Sequence, residues 1–275
     1  LSGGPGQRQP PRQGVRARSG IPARRHDAVP APAFDRCFCP CPRGLEPALA
    51  AELAAAGASE AEPVPGGLRF RGSLATAYRI NLHSRLASRV LVQVAAGRYR
   101  GEDDLYRLAQ IPPWERWFDN RRTLRVDTTA IRSPRQSLAF ATLRIKDAIV
   151  DRMRAKTGAR PSVDTADPDV RVLLFLQGND ALLYLDLSGE PLFKRGWRAD
   201  SDAKGEAPLK ENLAAGLLAL AGWNPALPLL DLFCGAGTIA IEAAQVACGR
   251  PPGLARRFGI EQLAFHQPAL WQQTL

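Results

Sequence analysis

The sequence predicts an α+β chain of two small mixed units followed by the opening of an α/β domain, and three observations carry that expectation. Strand-period and helix-period segments alternate in short runs from Phe34 to Ala96. Between Ser137 and Leu187 a long amphipathic helix precedes two strands joined by a Gly178-Asn-Asp180 turn. From Leu227 a short apolar run ends in Gly235-Ala-Gly237 and opens another helix. With 275 residues, 45% hydrophobic and 23% charged, the chain is neither wholly disordered nor fibrous, and its length favours more than one domain.

The elements follow in order. Phe34–Cys39 reads as a strand and Leu45–Ala56, rich in Ala and Leu, as a helix stopped by Gly57. Val64 to Gly72 reads as a turn into a strand with Leu68 and Phe70 on one face. Ser73 caps a helix whose Leu74, Ala77, Tyr78 and Leu82 recur at helical spacing, and Arg89–Ala96 alternates Val90, Val92 and Val94 as a strand. This alternation over 34–100 suits a ferredoxin-like unit. A second unit, 101–190, opens with a helix near Asp103–Ala109, then Trp114, Trp117 and Phe118, and a strand at Thr123–Thr128. The Ser137–Thr157 helix buries one stripe of Leu138, Ala141, Ile145, Ala148, Ile149 and Met153, and Gly158 ends it. Strands at Val170–Gln177 and Ala181–Leu187 complete the unit. Residues 191–225 form a linker and a helix from Pro208 to about Ala221; 226–275 begin the α/β part.

The net charge of +10 raises the question of a nucleic-acid partner, yet its distribution weakens that argument. Residues 1–33 hold six Arg, one Asp and six Pro, so half of the excess lies in a stretch too poor in apolar residues to order itself. It reads as a passive disordered tail or as a weak RNA-attracting arm. Thirty-two of the 37 basic residues are Arg, as a GC-rich genome would also give. On the long helix Arg144, Lys146, Arg152, Arg154 and Lys156 are partly neutralised by Asp147 and Asp151, so a solvated face and an RNA face both fit.

No run of eighteen apolar residues spans a membrane, and the first residue is Leu with no signal-peptide core behind it. Five cysteines in a chain this long do not make a disulfide framework, so a reducing cytoplasm is expected. Cys37, Cys39 and Cys41 alternate onto one strand face without the paired spacing of a zinc site, and no metal is expected.

The most informative passage is Leu227 to Ala244. A strand ending in Gly-x-Gly and opening a helix lets a ligand approach bare backbone, with free N–H groups and the positive helix end turned towards it. Gly235 to Ala240 also satisfies the loose dinucleotide pattern, so spacing alone admits nicotinamide, flavin or S-adenosylmethionine. Asp231 favours the last, because a carboxylate accepts from its ammonium group but repels a pyrophosphate.

Asp231-Leu-Phe-Cys-Gly-Ala-Gly-Thr238 resembles the first S-adenosylmethionine motif of class I methyltransferases. The wider chain resembles the bacterial THUMP-domain guanine-N2 methyltransferases of large-subunit ribosomal RNA. Cys41-Pro-Arg-Gly-Leu-Glu46, Gly66 to Gly72, Tyr78 to Val90, Lys146 to Asp151, Asp186 to Arg198 and Ala207 to Ala214 carry that resemblance. It implies a ferredoxin-like domain, a THUMP domain that grips RNA, and a Rossmann-like methyltransferase domain. By the same resemblance Asp231, Phe233, Cys234, Gly235, Gly237 and Thr238 form the cofactor turn, and Pro208 and Glu211 lie against the cofactor. Arg132, Arg135, Arg144 and Lys146 are implied as phosphate contacts to RNA, which position a substrate without reading its sequence.

The implied reaction moves a sulfonium methyl to the exocyclic amine of a guanine turned out of its helix. The family holds that amine with an Asn-Pro-Pro-Tyr-type loop, and no such run occurs here. Asn224-Pro225 precedes the cofactor strand and lacks the second Pro and the aromatic; Glu261 falls in a segment resembling a family insertion and is not assigned to the cofactor ribose. The expectation is therefore a chain that stops inside its catalytic domain, does not methylate alone, and exposes an aggregation-prone Leu229–Phe233 strand. A non-catalytic RNA-binding THUMP module, a related transfer-RNA guanine-N2 methyltransferase, and a nicotinamide or flavin oxidoreductase are the alternatives.

Overall fold

The computed structural model describes residues 29–133, 137–196 and 209–275. The expected basic tail falls almost entirely outside them, as do Arg135 and Pro208. The first unit contains β1 (Cys37–Pro40), α1 (Glu46–Ala55), β2 (Ser59–Val64), β3 (Gly67–Arg71), α2 (Leu74–His83) and β4 (Leu91–Arg98). The second contains α3 (Glu102–Ala109), the short α4 (Trp114–Trp117), β5 (Leu124–Ile131), α5 (Leu138–Thr157), β6 (Val170–Gln177) and β7 (Asp180–Asp186). Then follow α6 (Glu211–Leu220), α7 (Thr238–Ala247), a 3-10 turn (Gly259–Gln262) and α8 (Pro268–Gln272).

Local chemistry explains the boundaries. The Ser73 hydroxyl accepts from Thr76 N at 3.1 Å and starts α2; Ser137 does the same for α5 through Phe140 N. Gly158, left-handed at φ +77, closes α5. Gly178 and Asn179 turn β6 into β7, with Gln177 opposite Asp180.

The two units share one sheet. Its order is β2-β3-β1-β4-β7-β6-β5, and β4 pairs antiparallel with β7 from Leu91↔Asp186 to Arg98↔Asp180. The boundary expected near residue 100 is crossed by this ladder, so the mixed seven-stranded sheet has no gap between the units. Among the described strands, β5 and β6 are the one parallel pair, joined by the crossover through α5. Helices α1, α3 and α5 pack on the sheet or on one another. Beneath them Cys37, Cys39, Leu68, Val92, Leu174, Leu183 and Ile149 belong to one continuous core. The three clustered cysteines are buried in that core, and no group of His, Cys, Asp or Glu suited to a metal occurs among the described residues.

Two expectations change. Ser59–Val64 forms an edge strand that its Pro and acidic residues conceal in the sequence. Residues 227–233, expected as a strand, are not one: no strand lies beside them among the described residues, so the apolar run has no ladder to join. Leu230 and Phe233 are 81% and 95% exposed. The C-terminal part consists of α6 packed on α7 and of residues 250–272, which are stitched back onto the first two units. Ile260 N donates to Leu187 O at 2.9 Å, Ala264 N to Trp117 O at 2.7 Å, and Gln267 N to the Tyr78 hydroxyl at 2.8 Å. No described helix is long and apolar enough to cross a membrane.

Candidate functional site

The glycine turn forms as the sequence suggests, apart from the strand that should lead into it. Gly235 and Gly237 are left-handed at φ +51 and +71, a conformation that disfavours any Cβ. Gly237 N donates to Cys234 O at 2.7 Å, and Thr238 begins α7 with its side chain buried. Space around Gly235 is open: a Cβ there would meet nothing within 4 Å. Asp231 Oδ1 accepts from Phe233 N at 3.2 Å, while Oδ2 is buried with no donor among the described residues. A buried acceptor without a partner is costly, and it suits a ligand that brings a charged N–H. Phe233 and Cys234 stand in solvent.

Glu211 is separate from that turn. It is buried in the first turn of α6 and lines a cavity of about 700 Å³, which none of residues 231–238 lines. Pro208 lies outside the described residues.

The residues expected to face RNA are only partly free to do so. Arg132 is exposed and left-handed at φ +51, at the end of β5. Arg144 donates to Asp103 Oδ1 at 2.6 Å and lies 4.4 Å over the Tyr106 ring; Lys146 is 2.7 Å from Asp147. Arg135 lies outside the described residues. Beside them Phe140, on the first turn of α5, is 52% exposed, and Ile131 ends the strand next to Arg132. Sequence reasoning passed over Phe140; the signal was an aromatic residue off the buried stripe of its helix, available to stack on a base.

What fixes α7 in place is a buried ion cluster. Glu242 accepts from Arg195 Nε at 3.1 Å and from Arg85 Nη1 at 3.3 Å. Arg195 also donates to Leu192 O and Arg85 O. The glycine-turn helix is thereby tied to the linker and to the first unit.

The family comparisons follow this layout. The RlmL ferredoxin-like domain matches residues 36–91, the THUMP domain residues 99–186, and the RMKL-like methyltransferase domain residues 195–273. The chain thus carries a ferredoxin-like, a THUMP and a methyltransferase-type domain, in that order. One relative, a ribosomal RNA large subunit methyltransferase K/L of Syntrophotalea carbinolica, is 44% identical over 86% of this chain and 34% of its own length. The chain thus spans about a third of the curated relatives it matches. Among solved structures, a predicted N6-adenine-specific DNA methylase from Listeria monocytogenes superposes with a TM-score of 0.76 at 28% identity, over 87% of this chain and 62% of that one. A putative methyltransferase complexed with SAH gives 0.76 at 26% identity, over 87% and 63%. The resemblance read from the motifs holds, in fold and in domain order.

Proposed function

We propose that this chain is the RNA-gripping and cofactor-seating part of an S-adenosylmethionine-dependent methyltransferase acting on N2 of a guanine in large-subunit ribosomal RNA. The observation that carries the cofactor reading is Asp231 Oδ2, a buried acceptor lacking a donor, at the head of an open left-handed glycine turn. When bound, S-adenosylmethionine supplies an electrophilic methyl group. Asp231 accepts from its ammonium group, Gly235 and Gly237 let its chain approach bare backbone, and the N-terminus of α7 favours its carboxylate. Arg132, Arg144, Lys146 and Arg135 hold RNA phosphates, while Phe140 offers a ring to an unpaired base. Pro208 and Glu211 flank the cofactor in this reading. The SAH-bound neighbour and the names of the curated relatives support it.

The sequence contains no Asn-Pro-Pro-Tyr-type run, so capture of the target base falls to other residues and this chain alone does not transfer methyl groups. The protein acts in the cytoplasm, without a metal.

Calorimetry with S-adenosylhomocysteine and a filter-binding assay with large-subunit ribosomal RNA test the two binding roles. Single turnover with labelled S-adenosylmethionine should show no transfer by this chain. Deleting the gene in its host should remove N2-methylguanine from large-subunit RNA by nucleoside mass spectrometry; loss of N6-methyladenine, or of a transfer-RNA modification, would overturn the assignment.

A further inference from the structure

The cavity of about 700 Å³ that Glu211 lines lies where the start of β6, the loop after β7, the entry to α6 and the 256–262 segment meet. Among the described residues, six basic ones line it, Arg171, Lys194, Arg195, Lys210, Arg256 and Arg257, together with four acidic ones, Asp167, Asp169, Glu190 and Glu211.

The carboxylates are largely committed. Glu190 accepts from both Arg171 and Lys194, and Asp169 from Thr123 N and Oγ1. Two cations, Lys210 and Arg257, are not, and two further guanidinium groups keep an Nε without an acceptor among the described residues. Lys210 is exposed, and its ammonium group rests 5.1 Å over the Phe193 ring with no carboxylate partner among the described residues. Arg257 is exposed and has no ion-pair partner among the described residues. Arg171 is 94% buried, from its 6% exposure, and its Nε has no acceptor. Arg256 spends both terminal nitrogens on the carbonyls of Ser188, Glu190, Pro191 and Lys194, and its Nε too lacks an acceptor. Burial, and then the neighbouring Arg195, bring the Arg256 guanidinium down to about 10.

Two buried guanidinium groups on the lining, each with an Nε lacking an acceptor among the described residues, stand behind an exposed Lys and Arg and form with them a site for a compact multivalent anion. The cofactor is not that anion: S-adenosylmethionine sets an ammonium and a sulfonium against a single carboxylate, so even with Glu211 at its flank it does not fill a cation-rich pocket. We infer that this cavity holds a phosphate group, with Lys210 and Arg257 as its direct contacts and Arg171 and Arg256 supplying the field behind them. For the phosphate of an RNA strand, the inference rests on the RNA reading above. It adds a second grip, on the methyltransferase side of the sheet, far in sequence from the α5 residues.

The test uses the full chain, wild type and the double variant Lys210→Gln/Arg257→Gln, whose changes fall at exposed positions. Binding of a fluorescent large-subunit RNA fragment is measured across a salt series, and inorganic phosphate is titrated while following the amide signals of Gly189, Gly196 and Gly259. The variant should bind RNA about tenfold more weakly at low salt, with a log–log salt slope shallower by about 1.5. RNA loss in the variant without a wild-type response to free phosphate assigns the cavity to strand phosphates. A wild-type phosphate response abolished in the variant, in a protein that binds no RNA, keeps the anion site and removes the RNA reading. Unchanged RNA affinity and slope, together with no phosphate response that depends on the pair, would overturn the inference.

Discussion

Glu242 Oε1 lies 3.1 Å from Arg195 Nε, with both side chains essentially closed to solvent. The pair joins α7 to the segment leading out of the sheet, and Arg85 adds a contact from the first unit. Removing one member leaves an uncompensated buried charge. Glu242→Ala should therefore cost about 3–5 kcal/mol in denaturant unfolding. Replacing both Glu242 and Arg195 with apolar residues of similar volume should cost clearly less than that single change.

Asp231→Asn tests the proposed seating of the cofactor at the glycine turn. The amide oxygen can still accept from Phe233 N, so the turn should survive and thermal stability should stay close to wild type. Affinity for S-adenosylhomocysteine, measured by calorimetry, should fall at least about tenfold, the loss expected for one charge-assisted hydrogen bond. Undiminished affinity would remove Asp231 from the site.

Asp104 should stay ionised in strong acid. The backbone N–H groups of Arg100 and Gly101, and then the Arg107 guanidinium, hold its carboxyl down at about 2. A depressed carboxyl stabilises the fold above its unfolded value, near 3.9, and that contribution is lost as pH falls towards about 2. Carboxyl-carbon NMR titration should place its midpoint near 2, and Asp104→Asn should flatten the acid limb of the stability profile between those values.

The cysteines should divide two and three. Cys234 and Cys248 are exposed, whereas Cys37, Cys39 and Cys41 are buried. Burial pushes the Cys37 and Cys41 thiols up to about 12. An aromatic disulfide reagent at pH 8 should titrate two thiols quickly in the native chain and all five in denaturant.

Much of this fold can be read along the chain because its signals are local. Alternation placed Cys37 and Cys39 on one face, a serine and a glycine bracketed α5, and Gly178-Asn179 marked a hairpin. Ser59–Val64 escaped because every side chain of this edge strand stays exposed or half-buried, so no apolar alternation marks it. The run from Leu227 to Phe233 has the composition of a buried parallel strand, but composition supplies no neighbour to pair with. The glycine turn was legible as backbone chemistry. The Arg195–Glu242 pair and the basic cavity were not, since both depend on side chains brought together from distant segments. A lone carboxylate on the apolar face of α7 was the sole local hint.

The β4–β7 ladder has a mechanical consequence. Seven paired positions, from Leu91↔Asp186 to Arg98↔Asp180, clamp the ferredoxin-like and THUMP parts into one plate. A plate does not swing as two beads on a string would. The α5 surface is held at a fixed offset from the ferredoxin-like strands, as the two faces of a gauge block are, and a ligand that touches both must itself match that offset.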